Sequence, residues 1–96
     1  MIIAKTAYEV FYRYRDFTLW LASGETLSTA TVTITDAVTG IDMSSTMVAN
    51  VTVYQTTQVK YQLKGGVAGS SYNISIKVVT SNAQDFEDKT LLLNVI

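Results

Sequence analysis

Apolar side chains in this chain recur at every second position, the period that a pleated strand imposes on a half-buried sheet. From Tyr72 to Thr80, Tyr72, Ile74, Ile76 and Val78 fall on one face, and Asn73, Ser75 and Lys77 fall on the other. Ala30, Val32 and Ile34 alternate with Thr31, Thr33 and Thr35, and Val59, Tyr61 and Leu63 alternate with Lys60, Gln62 and Lys64. Leu91, Leu93 and Val95 repeat the pattern near the end, once Glu87 and Lys89 are past. Thr, Val, Ile and Tyr prevail in these runs, and they suit a pleated, half-buried surface. Turn-forming segments separate the runs: Ser23-Gly24-Glu25, Asp36 to Gly40, Lys64 to Ser70 and Ser81 to Asp85. Met43 to Tyr54 is less regular. Met47, Ala49, Val51 and Val53 share a parity that Val48 and Tyr54 break, which reads as a strand with an irregular, exposed start.

Six to seven short strands at near-regular spacing, with no helical period, predict an all-β chain. The expected architecture is an immunoglobulin/fibronectin III-like antiparallel β-sandwich, with a small barrel as its competitor. Tyr72 opens a strand directly after a glycine-bearing loop, where such domains place a tyrosine corner whose hydroxyl ties back to nearby backbone. An ordinary core aromatic is the other reading of Tyr72. Gly65, Gly66 and Gly69 in the preceding loop permit positive φ in a tight connection. These three glycines and Tyr72 are the expected structural residues.

The amino-terminal stretch stands apart. Tyr8, Val10, Tyr12 and Tyr14 share one parity, with Glu9, Arg13 and Arg15 on the other. The apolar parity then flips, because Phe17, Leu19 and Leu21 are odd, and a bulge or break near Arg15-Asp16 would accommodate the change. This divides the chain into an N-terminal arm or edge strand over 1–15 and a sandwich domain over 16–96. Phe11, Tyr12, Arg13, Tyr14 and Arg15, with Trp20 nearby, form the candidate interface, because Tyr, Trp and Arg are enriched where proteins meet. The plainer reading puts the aromatics in the core and the arginines in water, and periodicity favours it.

Chemistry is limited by what the 96 residues lack. There is no histidine and no cysteine, so the commonest general base, thiol nucleophiles and cysteine-ligated metals are absent. No Ser-x-x-Lys spacing occurs, and nothing like a phosphate-binding Gly-Lys-Ser/Thr comes after the 65–69 glycines. The expectation is a non-enzymatic chain with no catalytic residues, no metal and no cofactor. Asp85, Glu87 and Asp88, and Asp36 with Asp42, read as solvated strand ends rather than calcium ligands. Seven Lys+Arg against eight Asp+Glu give a net charge of −1, which argues against a nucleic-acid partner. No run of about 18 apolar residues predicts a membrane helix, and Lys5 interrupts the opening Met1 to Ala4 before a leader core can form. Synthesis in a cytoplasm is expected. Charged residues are 16%, against about 25% in typical globular chains. Either a Thr/Ser-rich surface or coverage by neighbouring subunits explains this, and the second is preferred.

Certain segments also resemble a family. Asp16-Phe17, Trp20-Leu21, Ser23 to Leu27 and Ala30-Thr31-Val32 resemble the opening of short phage virion proteins of the fibre–tail adaptor type, which have an immunoglobulin-like fold. Gly65-Gly66-Val67-Ala68-Gly69-Ser70-Ser71-Tyr72 is similar to that family's G-G-x-A-G-x-x-Y loop. Val79-Thr80-Ser81-Asn82, with Gln84, is similar to its V-T-T-S-x-G-Q turn, departing at Val79 (usually Thr) and Ala83 (usually Gly). The resemblance covers 16–96. It implies a non-enzymatic virion structural protein at the neck, tail or fibre attachment site, assembled in the host cytoplasm. Its partners would be other virion proteins, such as portal, connector, tail or fibre subunits, and it would be homo-oligomeric or multi-copy. The alternative is a carbohydrate-binding immunoglobulin-like adhesion module that stacks sugars on Trp20, Tyr54 or the Tyr12/Tyr14 pair.

Overall fold

The computed structural model describes all 96 residues, Met1–Ile96. Seven strands form: β1 Ile2–Lys5, β2 Phe11–Asp16, β3 Leu27–Asp36, β4 Val48–Tyr54, β5 Gln58–Leu63, β6 Ser71–Thr80 and β7 Asp85–Val95. They make two sheets, ordered β1-β7-β6-β3 and β2-β5-β4. Every pairing is antiparallel except β1 with β7. The orders 7-6-3 and 2-5-4 are those of a seven-stranded immunoglobulin constant-type sandwich, with the first strand transferred to lie parallel beside β7. Two separate sheets, rather than one closed sheet, set the barrel aside. The only helical turns are a 3-10 turn at Thr18–Trp20 and one α-helical turn, α1, at Ser44–Met47.

The core follows the alternation. Val32 and Ile34 of β3, Ile74, Ile76 and Val78 of β6, and Leu91, Leu93 and Val95 of β7 are buried from one sheet. Val59, Tyr61 and Leu63 of β5 meet them from the other, with Phe17 and Met47 filling between. Each such side chain contributes about 1.5–3 kcal/mol of burial free energy, and this core holds a chain without disulfides together.

Two features depart from the sequence reading, the facing of β2 and the path of residues 17–21. Of the arm or edge strand expected over 1–15, the structure has edge strands. β1 lies at the edge of one sheet and β2 at the edge of the other, with Ile3 and Lys5 buried, and the expected boundary at Asp16 falls on the last residue of β2. No parity flip separates β2 from Phe17. Phe11, Arg13 and Arg15 face the sandwich and Phe17 is buried, while Tyr12, Tyr14 and Asp16 face out. Aromatics in the core and arginines in water is thus the wrong way round for this strand. β2 lines the margin of the sandwich, where the Arg15 guanidinium reaches Asp88 and the tyrosines pack on the outer face. Residues 17–21 also leave the strand path. Asp16 Oδ1 accepts bonds from the Thr18 backbone N–H (2.8 Å) and hydroxyl (2.5 Å), and Trp20 N–H donates to Phe17 O (2.8 Å), closing the 3-10 turn.

One irregularity in β7 has chemical consequences. Ile74 pairs with Leu91 and Ile76 with Asp88, so Lys89 and Thr90 together oppose Ser75 in a β-bulge. The bulge shifts parity by one and turns Asp88 inward, where it is 1% exposed.

Candidate protein–protein interface

Strand pairing sets the outer face of the three-stranded sheet. Tyr14 lies opposite Lys60, Tyr12 opposite Gln62, and Tyr54 opposite Gln58. Lys60 therefore occupies the middle strand between tyrosines on both flanks. Its Nζ is 4.6 Å from the Tyr12 ring centroid and 5.9 Å from those of Tyr14 and Tyr54, a multiple cation–π arrangement. Tyr14 and Tyr54 pack edge to face, with centroids 5.1 Å apart. Asn50, held at φ +53° in a bulge of β4, donates from Nδ2 to Gln62 Oε1 (2.9 Å) and to the Tyr12 hydroxyl (3.3 Å). The three tyrosines remain 42%, 49% and 37% exposed (Tyr12, Tyr14, Tyr54). The two ion pairs of the chain are Arg15–Asp88 and Lys89–Glu87, so the Lys60 ammonium has no carboxylate partner.

Of the five residues the sequence singled out, only Tyr12 and Tyr14 share this face. Phe11 packs against the core, and Arg13 points to the sandwich margin beside Tyr61. Arg15 crosses between sheets, its Nε donating to Asp88 Oδ2, with its guanidinium 5.5 Å from the Phe17 ring and 5.9 Å from Trp20. Asp88 Oδ1 accepts from Thr90 N–H (2.9 Å) and Thr90 hydroxyl (2.6 Å). Burial pushes the Asp88 carboxyl upward, but the bonds from Thr90 and Arg15 outweigh it and hold the group below its ordinary value. Asp88 is therefore spent within the fold, and no cluster of three potential metal ligands forms anywhere. Trp20 is engaged edge to face by Phe17 (5.0 Å) and Phe86 (5.7 Å). Lys60, Asn50 and Gln62 escaped the sequence reading because only the strand register brings them beside the tyrosines.

A second exposed region lies at one end of the sandwich, where the β1–β2, β3–β4 and β5–β6 connections and the carboxyl terminus meet. Ile96 N–H donates to Lys5 O (2.8 Å), Gly69 N–H to Val95 O (2.8 Å) and Ala37 N–H to Ser71 O (3.0 Å), stitching the end together. Tyr8, Val10, Val38, Ile41, Val67 and Ile96 all stand exposed there. Beneath them, Tyr72 opens β6 and its hydroxyl accepts from the Val67 N–H at 3.0 Å. Gly65, Gly66 and Gly69 all have positive φ, and a Cβ at Gly66 would come within 2.8 Å of Val95 Cγ2 and 3.0 Å of Met47 Cε. Lys5 Nζ donates to Gly65 O (2.6 Å) and Thr6 O (2.7 Å), so a buried ammonium fastens β1 to the same loop.

The family model for the podophage GP4 fiber-tail adaptor protein gp77 matches residues 5–93. The chain belongs to that family. The match takes in β2 and the end of β1, which the resemblance over 16–96 left out. No curated protein and no solved structure matches the chain. Membership of that family makes the chain a structural adaptor of the phage tail fibre. Tyr14 and Tyr54 meet at an interplanar angle of 60°, so these two rings do not make one flat platform for a sugar ring.

Proposed function

We propose that the chain joins fibre to tail by protein–protein contact alone, and that the Tyr12, Tyr14 and Tyr54 face around Lys60 docks the partner virion protein. The observation that supports this reading is an exposed, register-ordered group of three tyrosines around an unpaired ammonium. Tyrosine supplies large contact area with only two side-chain torsions to immobilise, and Asn50, Gln58 and Gln62 around it supply adaptable hydrogen bonding. A partner carboxylate reaching Lys60 would complete the charge that the fold leaves open, and shielding by the rings would strengthen that pairing. The apolar loop end with Tyr8, Val10 and Val38 is a separate surface, as a protein bridging two neighbours requires. Several copies assemble in the host cytoplasm and enter the particle at the tail. The small net charge of −1 keeps recognition local rather than steering the chain to nucleic acid.

Phage carrying Tyr14→Ser, Tyr54→Ser and Lys60→Glu, singly and all three together, test this. Purified particles should contain the adaptor or the fibre at reduced copy number by mass spectrometry, while the isolated variants unfold at wild-type denaturant concentrations. Normal fibre content in the triple variant would overturn the assignment of this face.

A further inference from the structure

β3 carries a long uncharged edge; the other uncharged edge, Ile2 to Ala4 of β1, runs for three residues before Lys5. Ile34 N–H donates to Ser44 Oγ (2.9 Å), Ile34 O accepts from Met43 N–H (2.7 Å), and Asp36 N–H donates to Ile41 O (2.9 Å). The backbone of residues 34 and 36 therefore faces away from β6, and by the two-residue period so does that of Val32 and Ala30. The 41–44 connection covers the edge at Ile34 and Asp36 and then stops. No backbone bond reaches Ala30 or Val32 from outside β6. Exposed edges are normally guarded by charge, proline or a bulge. β2 carries Arg13, Arg15 and Asp16, the unpaired half of β7 carries Asp85, Glu87 and Lys89, and β4 is bulged at Asn50. Thr29-Ala30-Thr31-Val32-Thr33 has no charge, no proline and a continuous register.

We propose that this stretch pairs with itself in a second copy of the chain, antiparallel, about a two-fold axis at Thr31. That register is self-complementary. Ala30 faces Val32 of the other copy as a hydrogen-bonded pair, and Val32 faces Ala30, so the four open backbone groups on each strand are satisfied. On the outer face, Thr31 meets Thr31 and Thr29 meets Thr33, the threonine pairs that favour antiparallel sheets. No like charges are brought together. The two four-stranded sheets become one eight-stranded sheet, and the 41–44 connection of each copy ends the pairing at residue 33. The tyrosine face lies on the other sheet, so pairing through β3 leaves it free.

The chain has no cysteine, which makes the register directly readable. Thr31 across the axis is a non-hydrogen-bonded pair with Cα atoms about 4.5 Å apart, within disulfide range. Thr31→Cys should oxidise rapidly to a covalent dimer, whereas Thr33→Cys, which faces residue 29 of the other copy, should not. Light scattering of the wild-type protein should give twice 10.5 kDa at micromolar concentration. Thr31→Glu should return it to 10.5 kDa without loss of fold, because the new carboxylate faces Lys77 within its own sheet but another carboxylate across the axis. A wild-type mass of one chain, or equal cross-linking at 31 and 33, would overturn the proposal.

Discussion

Arg15 of β2 and Asp88 of β7 form an ion pair that crosses between the two sheets, with Asp88 fully buried and Arg15 about one-third exposed. The pair exists because the bulge at Lys89-Thr90 turns Asp88 inward just where β2 presents Arg15. Arg15→Ala would leave the carboxylate buried with only Thr90 as partner. Breaking a buried pair costs about 3–5 kcal/mol, and partial exposure of Arg15 puts the expected loss at the low end, about 3 kcal/mol. Urea unfolding reads this directly. Replacing both, Arg15→Met with Asp88→Leu, should recover most of the loss, since no unpaired charge then remains.

The same carboxylate gives the fold an acid limit. Its folded value lies below the ordinary one near 3.8, so the unfolded chain binds the proton first as pH falls. The stabilisation is complete above that ordinary value and declines as pH drops through the lowered folded value. Asp88→Asn should therefore be less stable than wild type at pH 7, with the gap narrowing below about pH 4. A gap that stayed constant from pH 7 to pH 2 would remove Asp88 from the acid response.

Tyr72 and Gly66 hold the loop end by different means. Tyr72→Phe removes the acceptor of the Val67 N–H and leaves the buried core otherwise unchanged, an expected cost of about 1–2 kcal/mol. Gly66→Ala meets both a positive φ of +94° and contacts under 3.1 Å, so it should cost more, about 2–4 kcal/mol. Equilibrium denaturation of the two variants checks the order as well as the sizes.

Much of the sandwich was legible because alternation survives wherever one face is aliphatic and the other hydroxylic or charged, as in β3, β5 and β6. It fails where both faces carry amphipathic side chains. In β2 the choice lies between tyrosine and arginine, and each has an apolar body with a polar tip, so period alone gives two faces without saying which is inside. Strand location decides it. The inward turn of Asp88 was illegible for another reason, since a bulge moves parity without any glycine to announce it. The exposed tyrosine face was half legible: Tyr12 and Tyr14 stand in one strand, while Tyr54 and Lys60 join them only through the register of three strands.

Ala83 in the β6–β7 hairpin sits at φ +58°, while Thr80 N–H donates to Gln84 O at 2.9 Å to close the turn. Thr80 Oγ1 accepts from the N–H groups of Asn82 and Gln84 and donates to Glu25 Oε2 (2.6 Å), so the turn is held despite the Cβ. A left-handed residue with a Cβ costs about 1–2 kcal/mol, and the extra freedom glycine gives the unfolded chain returns about half of that. Ala83→Gly should thus stabilise by about 0.5–1 kcal/mol, a rise of a few degrees in melting temperature. A fall would mean that the turn relaxes to another geometry.

Lys5 makes the opposite pH prediction from Asp88. Burial lowers its folded value below the ordinary 10.5, although Glu9 acts in the other direction. The unfolded chain then keeps the Lys5 proton to higher pH than the folded one. Between the lowered folded value and 10.5 the folded state gains stability as pH rises, and below that window the cost of burying the ammonium is carried in full. Lys5→Met removes that titration together with the bonds to Thr6 O and Gly65 O. The stability of wild type relative to Lys5→Met should therefore climb as the solution is taken from pH 7 towards pH 10, in denaturation midpoints measured at each pH. A difference that does not change over that range would mean that water reaches the Lys5 ammonium and that it titrates as an exposed lysine.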